Sequence, residues 1–163
     1  MMIARSIIGD LDLHIADTTA MPELPEGKSI DFAAVVPMQL YNITEDEAAT
    51  ERWKKVKKII VGGGQVDPRL EERVGQWPND IYESFGMTET ISHVALRRIN
   101  GKDRSAPFQV LDGIEIEMDE RGCLGLKSDL LPQNPLVTND IIKMEDDRSF
   151  HWVGRADNMI NSG

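Results

Sequence analysis

The sequence predicts an α/β fold in two parts: a parallel-sheet α/β sublobe over residues 1–95, then a small antiparallel β-barrel-like lobe over residues 96–155. Three observations predict it. Up to about Ile91, short apolar runs alternate with stretches of helical periodicity, as in strands joined by crossover helices. Beyond Ile91 that periodicity stops, and strand-like runs follow at close spacing, punctuated by turn signals such as Asn100-Gly101 and Asp119-Glu120-Arg121-Gly122. Finally, 163 residues with 40% apolar content are enough to bury a core.

Taken in order, Gly9 reads as the end of a helix already under way at the amino terminus. Leu11 to Ala16 alternates apolar and polar residues, as a strand does. Ala33 to Val36 is a continuous apolar run, and Pro37 is suited to open the helix that carries Met38, Leu40 and Tyr41. Thr44-Glu45-Asp46-Glu47 has the form of a capping box for the next helix. The strand Lys58 to Val61 breaks at Gly62-Gly63-Gly64, and Asp67-Pro68 supplies a cap and a first helical residue. Asp80 to Ser84 is a further strand, ending at Phe85-Gly86. In the second lobe, strands are expected at Ser92–Arg98, Gly113–Met118, Gly122–Lys127, Ile141–Glu145 and Phe150–Val153, with Thr138-Asn139-Asp140 at a strand–turn–strand junction. Both ends fall inside such patterns, so the chain reads as a piece of a larger enzyme.

A formal charge of −10 argues against nucleic acid as a partner, because phosphate backbones select basic surfaces. The basic run from Arg52 to Lys58 precedes an apolar stretch and reads as a solvated helix end. Cys123 is the only cysteine, so there is no disulfide framework, and a reducing, cytoplasmic location is expected. No apolar run approaches the ~20 residues of a membrane-spanning helix. His14, His93 and His151 lack metal-ligand spacing.

Several short segments carry chemistry. Gly62-Gly63-Gly64 follows a strand, where glycines either admit a ligand to the backbone or merely turn the chain. Ligands of α/β sheets bind at strand ends, and Ser84-Phe85-Gly86-Met87-Thr88-Glu89 occupies one. Phe85 offers a ring for a purine, Thr88 a hydroxyl for phosphate, and Glu89 a hard oxygen ligand for Mg²⁺. The plainer alternative is a core Phe and a solvated Glu. Asp140 is either an ordinary turn residue or an acceptor for ribose hydroxyls, and Arg155 either binds ribose or phosphate or makes a surface ion pair. His93 lies close enough to Thr88-Glu89 in sequence to line a pocket.

In their order these segments resemble the motifs of adenylate-forming enzymes: acyl-CoA synthetases, luciferases and peptide-synthetase adenylation domains. Phe85 to Glu89 is similar to their aromatic-Gly-x-Thr-Glu motif, Thr138-Asn139-Asp140 to Thr-Gly-Asp, and Gly154 to Ile160 with Gly163 to Gly-Arg-x-Asp-x-x-Ile-x-x-x-Gly. The resemblance covers essentially the whole chain. Residues 30–40, the Gly-Met-Thr-Glu-Thr run and Ser92 to Leu96 most resemble the o-succinylbenzoate–CoA ligases of menaquinone biosynthesis.

The resemblance implies that the chain is a truncated part of the large N-terminal domain of such an enzyme. The reaction it implies joins a small-molecule carboxylic acid to ATP, with Mg²⁺, and passes the acyl group to coenzyme A. Carried over, Phe85 stacks on adenine near Gly62, Gly63, Gly64, Ser84 and Gly86. Thr88 contacts phosphate, Glu89 holds Mg²⁺, Asp140 binds the ribose hydroxyls and Arg155 the ribose side. Pro37, Gly86 and His93 border the acyl pocket. Residues 156–163 begin a hinge, with Asp157 as its pivot toward a C-terminal domain. The family's Lys-ending phosphate loop and terminal-domain lysine are not among these 163 residues, so the piece alone is expected to be inactive. Oligomeric state is left open by the sequence; the cut surface of such a piece can form an artificial homodimer by covering exposed apolar area.

Overall fold

The computed structural model describes residues 2–158, and the chain divides into two compact units between Tyr82 and Glu83. The first contains α1 (Met2–Ile8), β1 (Phe32–Val35), α2 (Pro37–Glu45), α3 (Glu47–Trp53), β2 (Lys58–Val61), α4 (Pro68–Val74) and the opening half of β3 (Asp80–Gly86). Its strands follow the order β1-β2-β3, with β1 and β2 parallel and in register from Phe32 opposite Lys58 to Val35 opposite Val61. Pro37 starts α2 as its first residue, and the preceding Val36 N–H donates to Gln39 Oε1 at 3.0 Å. Asp67 caps α4 through the Arg69 N–H at 2.8 Å, with Pro68 next. Leu40, Ile43, Ile59, Val61, Val74 and Ile81 are fully buried in this unit. Each contributes about 1.5–3 kcal/mol by leaving water.

Two expectations fail in this unit. Residues 11–16 form no strand; Leu11, Leu13 and Ile15 are exposed. Alternation alone does not make a strand when no neighbour pairs with it. Thr44 does not cap α3. It lies in the last turn of α2, where its hydroxyl donates to the Tyr41 carbonyl at 2.7 Å, and Asp46 caps α3 instead, accepting from Ala49 N–H at 2.7 Å. The chain leaves α2 one residue past Thr44, so the nearer carboxylate reaches the orphan N–H groups.

The second unit contains the rest of β3, a short 3₁₀ turn at Thr88–Thr90, β4 (His93–Arg98), β5 (Phe108–Val110), β6 (Glu115–Met118), β7 (Cys123–Lys127), β8 (Leu136–Met144), β9 (Ser149–Arg155) and a second 3₁₀ turn at Ala156–Asn158. The order here is β3-β4-β5-β9-β8-β7-β6, an open sheet rather than the expected barrel. β6 is the edge that does not close. It has four residues, of which Glu115 and Glu117 put charges on the rim, a common way to blunt further pairing. The core packs Val94, Ala95, Leu124, Leu126 and Ile142 around an aromatic trio. In that trio the Phe85 ring lies 5.7 Å from Phe108 and 5.2 Å from Phe150. Cys123 is fully buried, as a structural thiol is.

Thr138-Asn139-Asp140 is not a turn but the middle of β8. Leu136, Thr138 and Asp140 are buried while Val137 and Asn139 are exposed, a period-2 pattern disguised by polar residues on the inner face. β5, at three residues, is too short to stand out as an apolar run.

Candidate functional site

The expected site residues fall in both units. In the first, Gly62 is held by its N–H on the Val35 carbonyl at 3.0 Å, and Gly63 takes φ +81°, the left-handed region that favours glycine. A β-carbon at Gly63 would lie 3.5 Å from Val36 Cγ1, and one at Gly64 would lie 3.7 Å from Pro37 Cγ. The structure therefore brings the glycine turn and Pro37 together. A cavity of about 560 Å³ also lies in this unit, between residues 24–30 and Arg52, Lys55 and Val56, and no expected site residue lines it.

In the second unit, β3 delivers Ser84, Phe85 and Gly86 to the 3₁₀ turn that presents Thr88 and Glu89. Both are exposed. Thr90 is the buried member of that turn: its hydroxyl accepts from Met87 N–H at 2.9 Å and lies 2.7 Å from the Ser92 carbonyl. Ile91 then takes φ +62° and ψ −40°, and the Ser92 N–H returns to the Thr90 carbonyl at 2.6 Å. That is a γ-turn of the positive-φ kind, which a β-branched residue enters only under strain. It reverses the chain into β4 and brings the backbone of His93 against Gly86. Phe85 is half-buried within the aromatic trio, and the His93 ring, also half-buried, lies 3.4 Å from the Ser92 hydroxyl.

Asp140 and Arg155 are cross-strand partners on β8 and β9. Asp140 is 6% exposed; its N–H donates to Thr138 Oγ1 at 3.0 Å, and its Oδ1 accepts from Trp152 Nε1 at 2.9 Å. The Arg155 guanidinium donates to Asp157 Oδ2 at 2.7 Å. That bond first, then the charges of Asp157 and Asp140 with a contribution from Glu89, hold Arg155 above its ordinary range. The charges of Asp157, Asp140 and Glu89 thus all act on Arg155, although Glu89 is distant from the others in sequence.

Arg155 likewise holds the Asp157 carboxyl below its usual value. Because the folded pKa is depressed, the contact is fully formed above the ordinary Asp range and is lost as pH falls through the lowered value. A carboxyl-detected NMR titration should place the Asp157 midpoint below that of an unpaired Asp, and Arg155→Gln should return it to the ordinary range.

Arg121 and Trp152 escaped the sequence reading. Arg121, on the turn before β7, donates to Asn139 Oδ1 and to the Thr138 carbonyl, both at 3.3 Å, and pairs with Asp119 at 2.8 Å. The signal for Trp152 was its type: a tryptophan half-buried in a strand needs an acceptor for its indole N–H. Among the described residues no cluster of three or more His, Cys, Asp or Glu could enclose a metal ion. Glu89 is instead a single exposed carboxylate, which suits an Mg²⁺ held mainly by substrate phosphates and water. No helix among the described residues is long and apolar enough to cross a membrane.

No family model matches the chain, and no curated protein does. Solved structures do. An acyl-CoA synthetase (AMP-forming)/AMP-acid ligase II-like protein from Dyadobacter fermentans is 39% identical, with TM-score 0.77, over 89% of this chain and 41% of that one. O-succinylbenzoate coenzyme A synthetase (MenE) from Bacillus subtilis, in complex with ATP and magnesium ion, is 19% identical, with TM-score 0.63, over 83% of this chain and 34% of that one. E. coli MenE with a bound analogue of OSB-AMS is 20% identical, with TM-score 0.63, over 79% of this chain and 31% of that one. At that identity the two MenE structures speak for the fold alone. The chain spans about two fifths of the length of the Dyadobacter relative. By sequence and fold together, the chain is similar to an AMP-forming acyl-CoA synthetase/AMP-acid ligase II-like protein over about two fifths of that protein's length, and it shares its fold with further solved ligases.

Proposed function

We propose that the chain is the nucleotide-handling section of an ATP-dependent acid–CoA ligase. The observation that carries this reading is the likeness in sequence and fold to an AMP-forming acyl-CoA synthetase/AMP-acid ligase II-like protein, 39% identical over 89% of the chain. In the reaction, a substrate carboxylate oxygen bonds to the α-phosphorus of ATP and pyrophosphate leaves. The thiol of coenzyme A then attacks the acyl carbon, loses its proton and expels AMP. Asp140 accepts from ribose hydroxyls, Arg155 lies on the ribose side, and Phe85 presents its remaining free surface to adenine. Thr88 donates to phosphate, and Glu89 is the protein ligand for Mg²⁺, which offsets the charge of the triphosphate while the chain positions it. Asp157, gripped by Arg155, is the pivot toward the C-terminal domain.

For the acid we propose o-succinylbenzoate, which would place the enzyme in menaquinone biosynthesis in the cytoplasm. The likeness of residues 30–40, the Gly-Met-Thr-Glu-Thr run and residues 92–96 to those ligases supports it. Gly86 and His93, whose backbones meet, border the acyl group in this reading. The 163 residues alone are expected to be inactive, because the family's Lys-ending phosphate loop and terminal-domain lysine are not among them.

The test uses the whole ligase carrying this chain. Pyrophosphate exchange should depend on an aryl acid, with o-succinylbenzoate the preferred member of a panel. Glu89→Ala should lower that exchange at least tenfold while sparing thioester formation from a supplied acyl-adenylate. Equal loss in both steps would reject Glu89 as the metal ligand, and exchange indifferent to every acid would reject the ligase.

A further inference from the structure

Asp140 is nearly sealed, yet its carboxylate is only half engaged. Oδ1 accepts from the Trp152 indole at 2.9 Å, and no described residue donates to Oδ2. Arg155 is its cross-strand partner, but the guanidinium hydrogen-bonds Asp157 instead. Among the described residues, the one side-chain donor on Asp140 is therefore neutral. A neutral N–H fixes the direction of a carboxylate without cancelling its charge, whereas an arginine would do both and compete with an incoming ligand.

The register explains how tryptophan gets there. Ile141 faces Gly154 but Ile142 faces Trp152, so Val153 is an extra residue, a bulge in β9. Side chains alternate along a strand, so Trp152 and Arg155, three residues apart, would otherwise sit on opposite faces. The bulge puts both on the face of Asp140, one held directly and the other across the strand pair. Bulges beside functional sites commonly re-aim side chains in this manner.

We propose that Trp152 is a positioning residue for nucleotide recognition: its N–H orients Asp140 through Oδ1 so that Oδ2 faces the ribose hydroxyls. The proposal rests on the reading of Asp140 as the ribose ligand. It adds a residue that touches no substrate but determines how well the enzyme tells a ribonucleotide from one lacking its hydroxyls.

Steady-state kinetics of the whole ligase with ATP and with 2′,3′-dideoxy-ATP test it. Trp152→Phe keeps the ring and deletes the donor. It should raise KM for ATP about tenfold, the scale of one hydrogen bond to a charged group, and leave kcat and the KM for dideoxy-ATP near wild type. Trp152→His, which restores a ring N–H, should recover part of the preference for ATP. A merely structural role would weaken both nucleotides alike; that result, or no change for either, overturns the proposal. Asp140→Ala separates the two layers. It should abolish the preference for ATP over the dideoxy nucleotide. If the preference survives that substitution, the ribose reading fails and the role of Trp152 falls with it. If the preference disappears in Asp140→Ala yet persists in Trp152→Phe, only the role of Trp152 is lost.

Discussion

Gly86→Ala should destabilise the protein by about 3 kcal/mol, the upper part of the range for overpacking, although it adds a single methyl group. An ideal β-carbon at residue 86 would lie 2.6 Å from His93 Cα, 2.6 Å from the Ser92 carbonyl oxygen and 3.0 Å from His93 N. All three are backbone atoms. No rotamer change relieves the clash; β3 and β4 must part by roughly 1 Å to restore ordinary contact near 3.5 Å. The γ-turn at Ile91 leaves the connection little slack, because it is already strained and tied by the Ser92 to Thr90 hydrogen bond. In a chain of this size the thermal midpoint should fall by about 6–12 °C. Gly154→Ala is the control. Nothing lies within 4 Å of its added carbon, so stability should stay near wild type. A Gly86→Ala variant that melts with the control would mean that the two strands separate at little cost.

This glycine illustrates what was legible in advance. The motif resemblance marked Gly86 as a residue bordering the nucleotide and the acyl pocket. Its immediate cause in the structure is protein packing, which depends on where Ser92 and His93 return, and no local pattern encodes that return. Strand positions with a plain apolar run were readable: Lys58–Val61 and Asp80–Ser84 lie within or coincide with β2 and β3. Leu136–Asp140 was not, because Thr138 and Asp140 face inward and break the apolar alternation by which strands are recognised. Leu11–Ala16 shows the converse, alternation without a partner. At the site, motif order led to Glu89, Asp140 and Arg155. Arg121 and Trp152 stayed hidden because their roles come from strand pairing and a bulge, which appear only once β7, β8 and β9 are assembled.

Arg97→Ala should cost about 3–5 kcal/mol, the penalty for removing one partner of a buried ion pair. Glu83 is 3% exposed on β3, and Arg97 on β4 reaches it with Nε at 2.6 Å and Nη2 at 2.5 Å from Oε2. The guanidinium also lies over the Phe108 ring at 5.4 Å, so truncation removes packing on the aromatic trio as well as charge. Burial should make the loss nearly independent of salt, since screening acts on solvated charges. The exposed Lys127–Glu117 pair on β7 and β6 is the comparison: Lys127→Ala should leave stability near wild type, and salt should erase what difference there is. The double variant Glu83→Leu, Arg97→Met should regain much of what Arg97→Ala loses, because two apolar side chains of similar length need no desolvated partner. Urea unfolding of the three variants at low and high salt measures all of this. A loss below about 1 kcal/mol for Arg97→Ala would show that water reaches Glu83. The support beneath Phe85 and Gly86 would then come from the aromatic trio rather than from the charge pair. A full loss, with the pyrophosphate exchange proposed for the whole ligase failing at temperatures where the wild type still works, would tie the rigidity of β3 to the placement of Thr88 and Glu89 at its end.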